Sequence, residues 1–166
     1  MKSSLLVFVM VILAVAGMRV AAASADAPDA FDRIKSLSGD WEGKGAMGPF
    51  QVSYKVVSNG AAVMESMNAG GHDNMVTMYY RDGSSIMLTH FCMADNQPRM
   101  KSGNTIGADN TLRFAFVDAS NIASPATGHM HELVLGMPDE QHVTEEWTWM
   151  ENGKPKVEKF ILERKR

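Results

Sequence analysis

From residue 41 onward the chain consists of short segments with alternating side-chain character, which restricts it to an all-β fold. Each segment ends at Gly, Asn, Asp or Pro. Asn-Gly pairs at 59–60 and 152–153 lie between two such segments, and this pair favours a hairpin because both turn residues tolerate positive φ. The predicted strands are 41–46, 50–57, 61–67, 74–80, 86–93, 99–102, 111–117, 129–135, 142–150 and 156–163.

About ten short antiparallel strands in one domain are typical of a β-sandwich or a β-barrel. Closure into a barrel removes exposed sheet edges. We therefore predict a single antiparallel up-and-down β-barrel of about ten strands. A short amphipathic segment carrying Phe31, Ile34 and Leu37 predicts a helix before the first strand. The one long linker, 118–128, is of a length that is more often functional than structural.

The first 25 residues have the three regions of a secretory signal peptide. Lys2 is followed by an apolar run over 5–16, and Ala23-Ser24-Ala25 fits the cleavage pattern. An uncleaved anchor is the alternative, but a run of about a dozen residues is shorter than the ~20 that span a bilayer. We predict a signal peptide over 1–25, a barrel domain over 26–166, and an exported protein, periplasmic or extracellular, with no membrane span after cleavage.

Charge and cysteine content exclude several classes of protein. Sixteen Lys and Arg stand against 19 Asp and Glu, a net charge of −3, and loss of Lys2 and Arg19 with the signal lowers it to −5. Nucleic-acid binders usually carry a clustered basic surface, so no nucleic-acid partner is predicted. The single cysteine, Cys92, excludes a disulfide framework within the chain.

Several polar side chains are expected at one end of the barrel. Residues i and i+2 share a face of a strand, so His129 and His131 lie on the face of Leu133 and Leu135, which we expect to be interior. In an up-and-down barrel consecutive strands run in opposite directions, so the positions of these residues along their strands place them at the same end. The residues expected there are His90, Cys92, His129, His131, Glu65, Trp147 and Trp149.

This end of a small barrel is where a ligand enters, so we predict a protein that binds a small apolar or amphipathic molecule. Met and aromatic side chains would line the cavity, and no cofactor is predicted. Arg99 and the 118–128 linker would lie at the rim, where the Arg99 fork matches a carboxylate. The predicted ligand-binding residues are Glu65, His90, Arg99, His129, His131, Glu145 and Trp147.

Two other functions remain open. Imidazole and thiolate are ligands that suit zinc or copper, so His90, Cys92, His129 and His131 form an alternative metal site, or a haem site. A carboxylate–histidine pair that uses Glu65 or Glu145 would make the protein a small barrel enzyme, although we favour a non-enzymatic protein.

Two resemblances extend this interpretation. Leu37-Ser38-Gly39-Asp40-Trp41 resembles the G-x-W opening of lipocalin and wider calycin barrels, which typically place a basic residue of the last strand over that Trp; Arg164 lies where this partner would come. The resemblance implies a cation–π contact that closes the bottom of the barrel. Over most of its length after residue 25, the chain also resembles uncharacterised secreted bacterial proteins that carry 89–92 (THFC) and 96–99 (NQPR).

Overall fold

The computed structural model describes residues 29–45, 48–69 and 75–166; the predicted signal peptide lies outside these ranges. It contains one short α-helix, α1 (Ala30–Lys35), and ten strands. The strands are β1 (Gly39–Gly45), β2 (Gly48–Val57), β3 (Ala62–Ala69), β4 (Met75–Asp82), β5 (Ser85–Phe91), β6 (Gln97–Gly103), β7 (Thr111–Ser120), β8 (His129–Gly136), β9 (His142–Glu151) and β10 (Lys154–Arg164).

The strands form one closed barrel in which each strand pairs antiparallel with the next one along the chain. β1 and β10 pair antiparallel to each other and complete the circle. The predicted ten-strand up-and-down barrel is confirmed. The residues 97–103 form a strand, and without it every later strand would run in the opposite direction. The strand directions that the sequence predicts therefore also hold.

Side-chain alternation directs one face of each strand into the barrel. On β2, Phe50, Val52 and Tyr54 are buried, while on β3 the buried residues include Val63 and Glu65. Two bulges interrupt this alternation, one where β6 pairs with β7 between Arg99 and Met100, the other where β8 pairs with β9 between Met130 and Glu132. The interior consists of apolar side chains with a few polar ones, such as Glu65, among them.

The lower end of the barrel is closed by α1. Asp29 caps the helix, accepting hydrogen bonds from the backbone N–H groups of Phe31 and Asp32, and Phe31 and Ile34 are fully buried. Asp29 also accepts two hydrogen bonds from Arg81, which attaches the helix to β4. No helix within the described ranges is long and apolar enough to cross a membrane.

Trp41 lies between the helix and the barrel interior. Its Nε1 donates to the Leu37 carbonyl at 2.8 Å, and the Arg164 guanidinium carbon lies 4.2 Å from the centroid of its ring. Arg164 donates further to the carbonyls of Ser36, Ser38 and Glu140. The predicted contact between Trp41 and Arg164 is present, and it closes the lower end.

Candidate functional site

Four of the seven predicted ligand-binding residues lie inside the barrel. Glu65 on β3, His90 on β5, and Glu145 and Trp147 on β9 are all buried. Arg99 on β6 and the β8 residues His129 and His131 lie apart from this group. The upper end of the barrel, opposite α1, includes the connections 92–96, 121–128 and 152–153.

The Glu145 carboxyl group is the acceptor of a buried hydrogen-bond network. Its Oε1 accepts from the Tyr54 hydroxyl at 2.5 Å, and its Oε2 accepts from Trp147 Nε1 at 3.2 Å. Glu145 has no exposed surface. Since each oxygen receives one donor, the carboxylate fixes the orientation of both aromatic side chains.

A second buried carboxyl group, Glu65, accepts one hydrogen bond, from the Tyr79 hydroxyl at 2.5 Å. Burial, and next the nearby Glu145, raise the pKa of Glu65 well above its ordinary range. Burial also raises the pKa of Glu145, but hydrogen bonds from Tyr54 and Trp147 oppose this shift. Among the described residues neither carboxyl group forms a salt bridge. Burial without a cationic partner therefore favours the protonated form at Glu65, which has one hydrogen-bond donor to stabilise a charge where Glu145 has two.

His90 completes the buried group. Its Nδ1 shares a hydrogen bond with Thr77 Oγ1 at 3.0 Å, while its Nε2 is buried with no partner among the described residues. The ring lies 4.7 Å from the Trp147 ring, centroid to centroid. Burial lowers the pKa of His90 to about 4, so the imidazole is neutral at pH 7.

The Glu65→Gln variant is expected to be more stable than the wild type at alkaline pH. The unfolded Glu65 ionises above its ordinary pKa of 4.5 while the folded one keeps its proton, so rising pH destabilises the wild type by up to about 1.4 kcal/mol per pH unit. A glutamine at this position still accepts from Tyr79 and removes the part of this dependence that Glu65 causes. Urea unfolding at several values between pH 5 and 9 measures the slope.

His90 affects the stability of the protein at acid pH. Its unfolded form gains a proton below pH 6.5 and its folded form only near pH 4, so its contribution to stability is lost as the pH falls between these values. Comparison above pH 6.5 therefore removes the effect of His90, and the difference between the wild type and Glu65→Gln reports on Glu65. The exposed Glu42, changed to Gln, is the matched control. Parallel pH slopes in the wild type and Glu65→Gln would contradict a protonated Glu65.

A concavity of about 560 Å³ opens at the upper end of the barrel above Trp147. The pairing of Met130 and Lys156 with Trp149, and of Glu158 with Trp147, places these side chains on the interior face. The volume is within the range of small-molecule sites. The lining residues are Met130, Trp147, Trp149, Glu151, Asn152, Lys154, Pro155, Lys156, Glu158 and Phe160.

His129 does not continue the interior face of Leu133, and the prediction that it does is wrong. The bulge adds one residue to β8, so Met130 pairs with Trp149 and His129 with Met150. Met130 thus takes the interior position expected for a histidine. The two histidines contact each other instead, with His129 Nε2 3.2 Å from His131 Nδ1.

Arg99 and Cys92 stand apart from the interior group. Arg99 is exposed and forms a two-pronged ion pair with Asp118 on β7, with Nε 2.6 Å from Oδ1. Its guanidinium fork is therefore already occupied by a carboxylate, and its role at a ligand stays a prediction. Cys92 is half-buried and free, and burial raises the pKa of its thiol.

Within the described ranges, no group of three or more His, Cys, Asp or Glu side chains is arranged to hold a metal ion. His90 contacts Thr77 and Trp147, whereas His129 and His131 contact each other. The alternative metal set is thus divided between two places, with Cys92 in the turn after β5.

The residues that sequence reasoning missed are Tyr54 and Tyr79, the donors to Glu145 and Glu65. A signal existed for Tyr54, which lies on an alternating strand with Val52 and Val56 two positions away. Tyr79 lies between Thr77 and Arg81 at that spacing, so alternation did not mark it. A buried tyrosine hydroxyl needs a partner, and the two interior carboxylates were the available acceptors.

Comparisons with known proteins support the fold alone. No family model and no curated protein matches the chain. Among solved structures, the chain is similar to a protein of unknown function from the DUF3598 family of Nostoc punctiforme, with a TM-score of 0.52 and 10% identity. The alignment covers 80% of this chain and 49% of that protein, so the chain spans about half the length of its structural neighbour.

Proposed function

We propose that this barrel binds a small amphipathic molecule in the concavity at its upper end. The observation that carries the proposal is the group of large apolar side chains that lie side by side there on β8, β9 and β10: Met130, Trp147, Trp149 and Phe160. Aromatic faces of this kind hold flat or aliphatic groups. The apolar part of the ligand would lie against them.

Preorganisation of Trp147 supports this proposal. Its indole is held from below by His90 and by the hydrogen bond to Glu145, which is itself held by Tyr54. A side chain that is already fixed loses little conformational entropy when a ligand stacks on it. Glu145, which the sequence placed at the ligand, thus supports the binding surface through Trp147.

The rim of the concavity suggests the character of the polar end of the ligand. Lys154 and Lys156 line it together with Glu151 and Glu158. Because both signs of charge are present in equal number, the rim favours a polar head group without net charge over an anion or a cation.

We further propose that the protein is a calycin-like barrel that acts after export, on two grounds. The cation–π contact of Arg164 with Trp41 is the feature that the resemblance to calycin barrels implies. The basic start, apolar run and Ala-x-Ala pattern of residues 1–25 are those of a cleaved signal.

Binding is tested with the neutral probe N-phenyl-1-naphthylamine. We expect its fluorescence to rise saturably with the wild type, and the uncharged amphiphile 1-monododecanoylglycerol to displace it more effectively than dodecanoate or dodecylammonium. Trp149→Ala and Met130→Ala should each raise the Kd at least tenfold, about 1.4 kcal/mol, because each removes one apolar wall.

Trp41→Phe is the matched control, since Trp41 lies at the opposite end of the barrel. It should leave the Kd for the probe unchanged. The absence of a saturable signal, or equal Kd values for the wild type and both mouth variants, would contradict the proposal.

A further inference from the structure

A second concavity, of about 420 Å³, lies between the end of β7, the start of β8 and the 121–128 connection. It shares no lining residue with the concavity at the barrel mouth. Its walls are largely apolar and include both histidines of β8. The lining residues are Phe116, Ile122, Ala123, Ser124, Pro125, His129, His131 and Met150.

The hydrogen bonds of the two histidines define which ring nitrogens carry protons. His129 Nδ1 lies 2.7 Å from the Thr127 carbonyl oxygen, which can only accept, so Nδ1 is the donor. In a neutral His129 the Nε2 is then an acceptor, and its contact at 3.2 Å requires that His131 Nδ1 donates. A neutral His131 therefore has a bare Nε2, which no hydrogen bond within the described ranges engages.

The ring of Phe116 fixes this histidine pair in place. It stacks on His131 with centroids 4.7 Å apart and planes 19° apart, and it also packs on His129 at 4.8 Å. His129 is 4% exposed, whereas His131 is partly open. The outcome is a rigid acceptor, His131 Nε2, beside an apolar cavity.

We propose that this concavity is a second ligand site, and that it takes a small aromatic molecule bearing a hydroxyl group, a phenol. The aromatic ring of the ligand would occupy the space between Ile122, Pro125 and Met150, where a thioether favours aromatic contact. Its hydroxyl would donate to His131 Nε2. The donor chain then runs from ligand to His131, to His129, to the Thr127 carbonyl, and each bond polarises the next.

A neutral imidazole distinguishes this ligand class from carboxylic acids. Burial, and next the proximity of His129, lower the pKa of His131, and the nearby Glu132 opposes this shift. Glu132 is itself ion-paired with Arg113. At neutral pH the site thus offers an acceptor, which suits a phenol hydroxyl and repels the lone pairs of a carboxylate.

The test compares three ligands of nearly the same shape: p-cresol, toluene and p-toluate. We expect p-cresol to bind the wild type at least tenfold more tightly than toluene, with p-toluate weakest, in NMR titrations of the ¹⁵N-labelled protein at pH 7.5. Long-range ¹H–¹⁵N spectra should show His131 protonated at Nδ1 and bare at Nε2. The largest shifts should fall on His131, Phe116 and Ile122.

Variants locate the site and separate it from the barrel mouth. His131→Phe should bind p-cresol and toluene equally, because the acceptor is lost while the apolar walls remain. His142→Phe, at an exposed histidine paired with Asp139, and Met130→Ala, at the barrel mouth, should leave the p-cresol affinity unchanged.

The comparison of ligands on the wild type decides the question even if His131→Phe fails to fold. Equal affinity for p-cresol and toluene, strongest binding of p-toluate, no binding at millimolar concentration, or loss of p-cresol binding in Met130→Ala would each overturn the proposal. Because the two concavities are lined by different residues, failure here leaves the proposed function at the mouth untouched.

Discussion

Replacement of Trp41 by alanine is expected to lower the free energy of unfolding by about 3–5 kcal/mol, a large part of the ~5–15 kcal/mol that stabilises most domains. Trp41 is fully buried between α1 and the barrel interior. Its removal leaves a cavity, frees the Leu37 carbonyl, and takes away the ring on which Arg164 stacks. Denaturant unfolding followed by circular dichroism measures the loss.

Trp149→Ala is the matched control for this prediction. The same side chain is removed, but Trp149 is half-buried at the open end of the barrel, so less apolar surface is returned to water and the loss of stability should be less than half as large. Equal losses in the two variants would show that the lower end does not depend on the Trp41–Arg164 contact.

Replacement of Glu145 by alanine is expected to cost about 3–6 kcal/mol. The change leaves two buried donors, the Tyr54 hydroxyl and Trp147 Nε1, without an acceptor, and each unsatisfied group costs about 1–3 kcal/mol. Glu145→Gln should cost less stability than Glu145→Ala, because the one carbonyl oxygen of glutamine still accepts from one of the two donors. Glu65 accepts from a single donor, so Glu65→Gln should cause little loss of stability.

A double-mutant cycle separates the orphaned donors from the cavity. Tyr54→Phe removes one of them, so Tyr54→Phe combined with Glu145→Ala should destabilise by at least 1 kcal/mol less than the sum of the two single changes. Val52→Ala, on the same strand and buried but not bonded to Glu145, should combine additively with Glu145→Ala. Additivity in both cycles would mean that the Tyr54 hydrogen bond contributes nothing specific.

The barrel was predictable from the sequence because its signals are local. Alternation along each segment and turn residues such as Asn152-Gly153 are properties of neighbouring positions, and all ten predicted strands are present. The contact of Trp41 with Arg164 was also expected, although it joins the first strand of the barrel to the last. For that contact, the resemblance to calycin barrels supplied the long-range information.

The site was less predictable because two of its determinants are not local. The bulge at Met130 and Glu132 depends on how β8 meets β9, and nothing in the run 129–135 alone marks an extra residue. Alternation along the strand therefore placed His129 on the interior face, where Met130 lies instead. The pairing of Tyr79 with Glu65 joins adjacent strands, and only the registered sheet shows that the two side chains meet.

The seam between β1 and β10 gives the folding pathway a last step. Every other strand pair joins neighbours along the chain, and such hairpins form within microseconds, whereas the seam must bring residue 41 to residue 164. It is also short, with three registered residue pairs against ten between β9 and β10. We therefore expect a sheet with two free edges to precede the barrel during folding, and the seam to be the place where the native protein opens first. Arg164 donates hydrogen bonds across this seam to the segment before β1, and these bonds stabilise the closed barrel.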